Sequence, residues 1–198
     1  MDRIQDIISD LLSLAWLETG HDDRLLPVDV AELVTQEIGE RAPGLPIHLD
    51  LQEGLVVGGA TGALARLLGN LLDNAERHGR SAVRVTVSGM KDEAVLTVDD
   101  DGQGIPLPHR ELVFEHFTRL DSARDRGHGG AGLGLPIARA IAQAHGGTLT
   151  AGTSDMGGGP ARLAAAVAAT GRGGRQGGLR PSAVPSSRAA LRVAPAGV

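Results

Sequence analysis

Two runs, Val83-Arg-Val-Thr-Val87 and Ala94–Val98, alternate apolar and polar residues on either side of Met90-Lys-Asp-Glu93. A period of two marks strands with one buried face, and so short a connection makes them an antiparallel hairpin. The hairpin stands between two stretches that read as helices, Thr61 to about His78 and Leu133–His145, the second stopped by Gly146-Gly147. A hairpin in that place breaks the strict βαβ alternation of a parallel sheet. The fold class is therefore α+β, a two-layer α/β sandwich.

The other elements fit around this frame. Val30–Glu40 reads as an amphipathic helix with Asp29 as its N-cap, and Pro43-Gly-Leu-Pro46 breaks it. Ile47–Leu51 and Leu55–Val57 read as strands, residues 107–113 as a short helix, and Leu149–Gly152 and Arg162–Ala168 as closing strands. A Gly- and charge-rich loop runs from Thr118 to Ala131. Near the N-terminus, Ile4, Ile7, Ile8, Leu11, Leu12, Leu14, Ala15 and Leu17 make a helical stripe ended by Gly20. Residues 21–28 read as a linker, and beyond about residue 170 no structure is assigned.

Composition narrows the classes. Of 198 residues 41% are apolar but only 2% aromatic, so the core must be built from Leu, Val, Ile and Ala. No apolar run approaches the ~20 residues of a membrane span, and no signal-peptide pattern opens the chain. Zero cysteines exclude disulfides and thiolate metal sites and fit a cytoplasmic setting. Five of the 19 basic residues, Arg172, Arg175, Arg180, Arg188 and Arg192, lie after residue 170, where there is no acid; the remaining 14 face 24 acids, a formal charge of −10. A body this acidic is a poor partner for nucleic acid, which is bound by neutralising phosphates. The basic end reads as a solvated tail.

Three segments carry the chemistry. Asn70-Leu-Leu-Asp-Asn74-Ala-Glu-Arg77-His78 puts two carboxamides one turn apart on one helix face, where their oxygens can reach Mg²⁺ among phosphate ligands. Asp101-Gly-Gln-Gly104-Ile-Pro106 sets a carboxylate beside backbone that can approach a flat ring closely. Gly127-His-Gly-Gly-Ala-Gly132-Leu-Gly134-Leu135 leads into Pro136-Ile137, so free N–H groups at a helix start can meet a polyphosphate.

In this order the segments resemble the N, G1 and G2 boxes of the ATP-binding domain of sensor histidine kinases, within the superfamily that includes gyrase, Hsp90 and MutL. The resemblance implies a Bergerat-type fold, with helices on one face of a mixed sheet and nucleotide between helices and a lid. It implies that Asn74 ligates Mg²⁺, that Asn70 and Arg77 sit near the phosphates with catalytic roles, and that His78 lines the nucleotide. Asp101 would accept the adenine amine, with Gly102, Gly104 and Ile105 in the loop against the base. Gly127, Gly130, Gly132, Leu133 and Gly134 would form the lid, while Asp99 and Asp100 face solvent or bind a water. Phe114-Glu-His-Phe117, holding the only phenylalanines, resembles the F box that hinges the lid. Arg119 beyond it is a candidate catalytic γ-phosphate contact, for which a guanidinium fork is well shaped.

The first 19 residues resemble the second helix of these kinases' dimerisation bundle, which divides the chain into a bundle remnant (1–20), a linker (21–28), a catalytic ATP-binding domain (29–169) and a tail (170–198). The expected function is ATP-dependent phosphorylation of a histidine in a phosphorelay. ATP and Mg²⁺ serve it. The expected partners are an acceptor-histidine bundle and a response-regulator receiver domain, with homodimerisation through a complete bundle and a full-length parent at the inner membrane. Two features depart from the pattern. The bundle's first helix with its acceptor histidine is missing from the chain as given, and His21 lies too late to replace it. Gly58-Gly59-Ala60 replaces the acidic residue common before the Asn-bearing helix, leaving Thr61 as the expected N-cap. The alternatives are a protein-serine kinase of anti-sigma-factor type and a non-catalytic nucleotide-binding or dimerisation module.

Overall fold

A computed structural model describes residues 25–90, 93–118, 132–154, 156 and 161–172. The expected bundle helix at residues 1–19, most of the lid and the tail lie outside the described residues. Seven strands form the sheet: β1 (Leu26–Asp29), β2 (Ile47–Leu51), β3 (Leu55–Gly59), β4 (Val83–Met90), β5 (Glu93–Asp100), β6 (Thr148–Thr153) and β7 (Ala161–Arg172). Three helices accompany them: α1 (Val30–Gly39), α2 (Thr61–His78) and α3 (Gly134–Ala144). The strand order is β1-β3-β7-β5-β4-β2, with β6 also paired to β7. Among the described residues only β2 and β4 pair in parallel, and the other pairs are antiparallel.

The hairpin expected from alternation is β4–β5, in register from Val83↔Asp100 to Met90↔Glu93. Val83, Val85 and Val87 are buried while Arg84, Thr86 and Ser88 are half-exposed, so one face of the sheet is the core face. Ala94, Leu96 and Val98 of β5 and Leu163, Ala165 and Val167 of β7 join it. Against this face lie Leu64, Leu67, Leu68, Leu71, Leu72 and Ala75 of α2 and Ile137, Ala138, Ile141 and Ala142 of α3, in one cluster. Fully burying a leucine contributes about 1.5–3 kcal/mol, so the leucine stripe of α2 is the principal anchor of the asparagine-bearing helix.

Four expectations are corrected. Residues 26–29 are strand β1, paired with β3 from Leu26↔Gly59 to Asp29↔Val56, where the sequence read a linker through residue 28. Pro27 is tolerated because β1 is an edge strand, where a missing N–H costs little. The short helix expected at residues 107–113 is two 3₁₀ turns, Leu107–His109 and Leu112–Phe114. Ala60, not Thr61, is the N-cap of α2, and no side chain of the helix closes it. The last strand runs on to Arg172, since its end pairs with β3. Asp29 caps α1 as expected, its carboxylate accepting from the N–H groups of Ala31 and Glu32 at 2.9 and 3.2 Å.

Candidate functional site

Asn70 and Asn74 lie on the half-buried flank of α2, beside its leucine stripe. Asn70 faces the first turn of α3. A Cβ placed on Gly134 would come within 3.3 Å of Asn70 Oδ1, so glycine lets the helix start approach the carboxamide. The other end of that carboxamide, Nδ2, is buried with no hydrogen-bond partner. A buried donor without an acceptor costs roughly 1–3 kcal/mol, so Asn70 Nδ2 calls for a partner such as a ligand, an ion or a water. The N-cap of α3, Leu133, is buried and supplies no capping side chain, so the N–H groups of this helix start have no side-chain acceptor there.

The end of β5 lies below the last turn of α2. Alternation along β5 sends Asp100 to the same side as Leu96 and Val98, the core face. Asp100 is only 2% exposed, and its Oδ1 accepts from the N–H of Gly102 at 2.8 Å. Gly102 is pressed on the last turn of α2: a Cβ there would lie 2.1 Å from the carbonyl oxygen of His78. Gly104 has φ +75°, a left-handed conformation that favours glycine. Ile105 is half-buried against the core, and its carbonyl accepts from Arg110 Nε at 3.3 Å.

Asp101 does something else. Its carboxylate accepts from the N–H groups of Arg80 at 2.7 Å and Ser81 at 3.0 Å, and from the Ser81 hydroxyl at 2.5 Å. These bonds, the Ser81 hydroxyl first, hold its carboxyl well below the usual carboxylate range. The expectation that Asp99 and Asp100 face solvent is corrected, since both are buried; Asp101 fastens the turn between α2 and β4. Asp99 projects to the opposite face of the sheet, in register with Arg84. The signal was in the sequence, because a period of two through Leu96 and Val98 reaches Asp100 and skips Asp101.

The remaining expected residues divide. Arg77 and His78 sit exposed in the last turn of α2, at the rim. Gly132 has φ +74°, and its carbonyl accepts from the Phe117 N–H at 3.0 Å. Phe117 itself adopts φ 63° and is 69% exposed. Phe114 is buried, with the Arg139 guanidinium 4.7 Å from its ring centre and Arg139 paired to Glu111 at 2.9 Å. Arg119, Gly127 and Gly130 lie outside the described residues.

Among the described residues no three His, Asp or Glu side chains converge as a metal cage. The donor set present, carboxamides one turn apart, suits Mg²⁺ nonetheless, because that ion takes one or two protein oxygens and completes its shell with phosphates and water. No helix among the described residues is long and apolar enough to cross a membrane.

Residues 59–167 match the sequence model of the histidine kinase-, DNA gyrase B- and HSP90-like ATPases. The chain belongs to this ATPase family. Among curated proteins it is 38% identical over 159 residues to the probable sensor histidine kinase TcrY of Mycobacterium tuberculosis, covering 77% of this chain and 34% of TcrY. It is 48% identical over 95 residues to the sensor protein RstB of Escherichia coli, covering 48% of this chain and 22% of RstB. This family member thus spans about a third or less of the length of such relatives. Of solved structures, full-length ShkA in complex with AMPPNP superposes with a TM-score of 0.71 at 26% identity, over 86% of this chain and 37% of ShkA. The ATP-binding domain of PrrB from Mycobacterium tuberculosis gives 0.61 at 28% identity, over 76% of this chain and all (100%) of that domain.

Proposed function

We propose that this chain is the ATP-binding, phosphoryl-transferring portion of a sensor histidine kinase. The observation that carries the reading is the unpartnered buried amide of Asn70, set against the start of α3. A phosphate oxygen between the two helices would accept from that amide and from the free N–H groups of the helix start together. Asn74, one turn on, offers its carboxamide oxygen to Mg²⁺, which would neutralise phosphate charge. Arg77 at the rim adds positive charge beside the same phosphates.

The purine is assigned to the end of β5. Asp100, buried at the end of β5, accepts from the exocyclic amine of adenine, while Gly102 and Gly104 keep side chains out of the base's path. Guanine carries a carbonyl where adenine carries that amine, so a carboxylate there selects adenine. The reaction itself is positioning and charge stabilisation. A histidine nitrogen of the acceptor bundle forms a bond to the γ-phosphorus, the bond from that phosphorus to the bridging oxygen breaks, and ADP leaves. The phosphoryl group then passes to an aspartate of a response regulator. Arg119, Gly127 and Gly130 belong to the same proposal as lid residues, and a cytoplasmic setting fits a substrate that is cytoplasmic ATP.

Calorimetry on the purified chain with MgATP and MgGTP tests the first step, with saturable heat for MgATP and little for MgGTP expected. Incubation with ATP and an isolated acceptor bundle tests the second, and acid-labile, base-stable phosphate on the bundle is expected. Absence of nucleotide binding by the folded chain, or acid-stable phosphate on the acceptor, would overturn the reading.

A further inference from the structure

Helix α2 begins without a side chain of its own to close it. In a capping box the third helical residue, often Glu, reaches back to the N–H of the N-cap; here that residue is Ala63. The N–H of Ala60 is instead 3.2 Å from Nε2 of His145, the residue that ends α3. A backbone N–H only donates, so Nε2 carries no proton and accepts. The other ring nitrogen, Nδ1, lies 2.7 Å from the carbonyl oxygen of Ile141, which only accepts. The two partners together fix a neutral ring with its proton on Nδ1. Gly59 makes room for it: a Cβ there would be 2.9 Å from His145 Cδ2 and 2.6 Å from Leu64 Cδ1.

We propose that His145 is a positioning residue for the nucleotide crevice, a tie between the end of α3 and the start of α2 that sets how the two helices cross. From Ala60 to Asn70, and from His145 back to Gly134, the chain climbs almost the same length, about 15 Å at 1.5 Å per residue. The tie and the Asn70–Gly134 approach therefore sit at opposite ends of α3, one at the start of α2 and the other at its middle, and two fixed points define the crossing. Loosening the first lets the carboxamides of Asn70 and Asn74 drift from the start of α3. The link from crossing to ligand rests on the ATP reading above, whereas the tie itself does not.

The experiment has two arms. Nitrogen-15 spectra of the histidine side chains in the ligand-free chain are expected to show one ring locked with its proton on Nδ1, a signal absent from His145→Phe. MgATP titrations are expected to weaken about five-fold in His145→Phe, the scale of one lost hydrogen bond. His145→Gln, whose amide oxygen can take the Ala60 N–H, is expected to recover most of that affinity and serves alone if the phenylalanine variant does not fold. A ring protonated on Nε2, or a folded His145→Phe that binds MgATP as tightly as the parent, overturns the proposal. If the parent chain binds no MgATP, the ATP reading fails, and the ring signal still decides the tie.

Discussion

At the scale of single residues, neighbouring carboxylates have opposite duties. Asp100 lies on the core face of β5 below the last turn of α2, and Asp101 is turned to the backbone of Arg80 and Ser81. On the proposed reading, in which Asp100 accepts from the adenine amine, Asp100→Asn is expected to weaken MgATP binding at least about ten-fold, because the amide presents a mixed donor and acceptor. Asp101→Asn is expected to stay within about three-fold, since the carboxylate is engaged by the backbone of Arg80 and Ser81; calorimetry of both variants decides which acid reads the base. Asp101 has a separate signature in acid. Its folded carboxyl is held below the unfolded value of about 3.9, so its contribution is present in full above that range and fades as pH falls through it. The gap in urea midpoint between the parent and Asp101→Asn should therefore be open at about pH 7 and narrow toward about pH 2. Residue types alone could not separate these acids, but strand parity does, provided the strand is followed to its last residue.

At the scale of elements, glycine decides where backbones touch. Gly102→Ala would drive a Cβ against the His78 carbonyl, and overpacking of that kind costs about 1–3 kcal/mol. A melting temperature lowered together with weakened MgATP binding is the expected outcome. Gly62, in the first turn of α2 with nothing within 4 Å of its would-be Cβ, should behave oppositely. Gly62→Ala is expected to stabilise the fold by about 0.5–1 kcal/mol through helix propensity and a less flexible unfolded chain, measurable by denaturant titration. The same scale shows what a linear reading reaches. The limits of α2 and β2 were legible because local pattern and tertiary placement agree there. β1 was not, since Leu26-Pro-Val-Asp29 becomes a strand only when β3 supplies its partner. The His145 tie was equally silent, because it joins residues 85 positions apart.

At the scale of the whole molecule, the alanine-rich β7 occupies the centre. It pairs with β5 along one side, with β6 along the other, and with β3 at its end. Alanine has little intrinsic preference for a strand, so the pattern in 161–172 understates an element that its neighbours impose. Leu163, 1% exposed, is its largest core side chain. Leu163→Ala should cost about 2–5 kcal/mol, as in other buried leucine sites, and lower the urea midpoint without changing the location of the nucleotide crevice. A residual stability within error of the parent would show that β7 is peripheral.

The central position of β7 also has a consequence during synthesis. Every other described strand and helix leaves the ribosome first, yet the backbone edges of β5 and β3 that β7 covers stay open until it emerges. Open edges are templates for pairing with other chains. The nascent polypeptide is thus expected to be most prone to pair with its neighbours before β7, the last of the described strands, emerges.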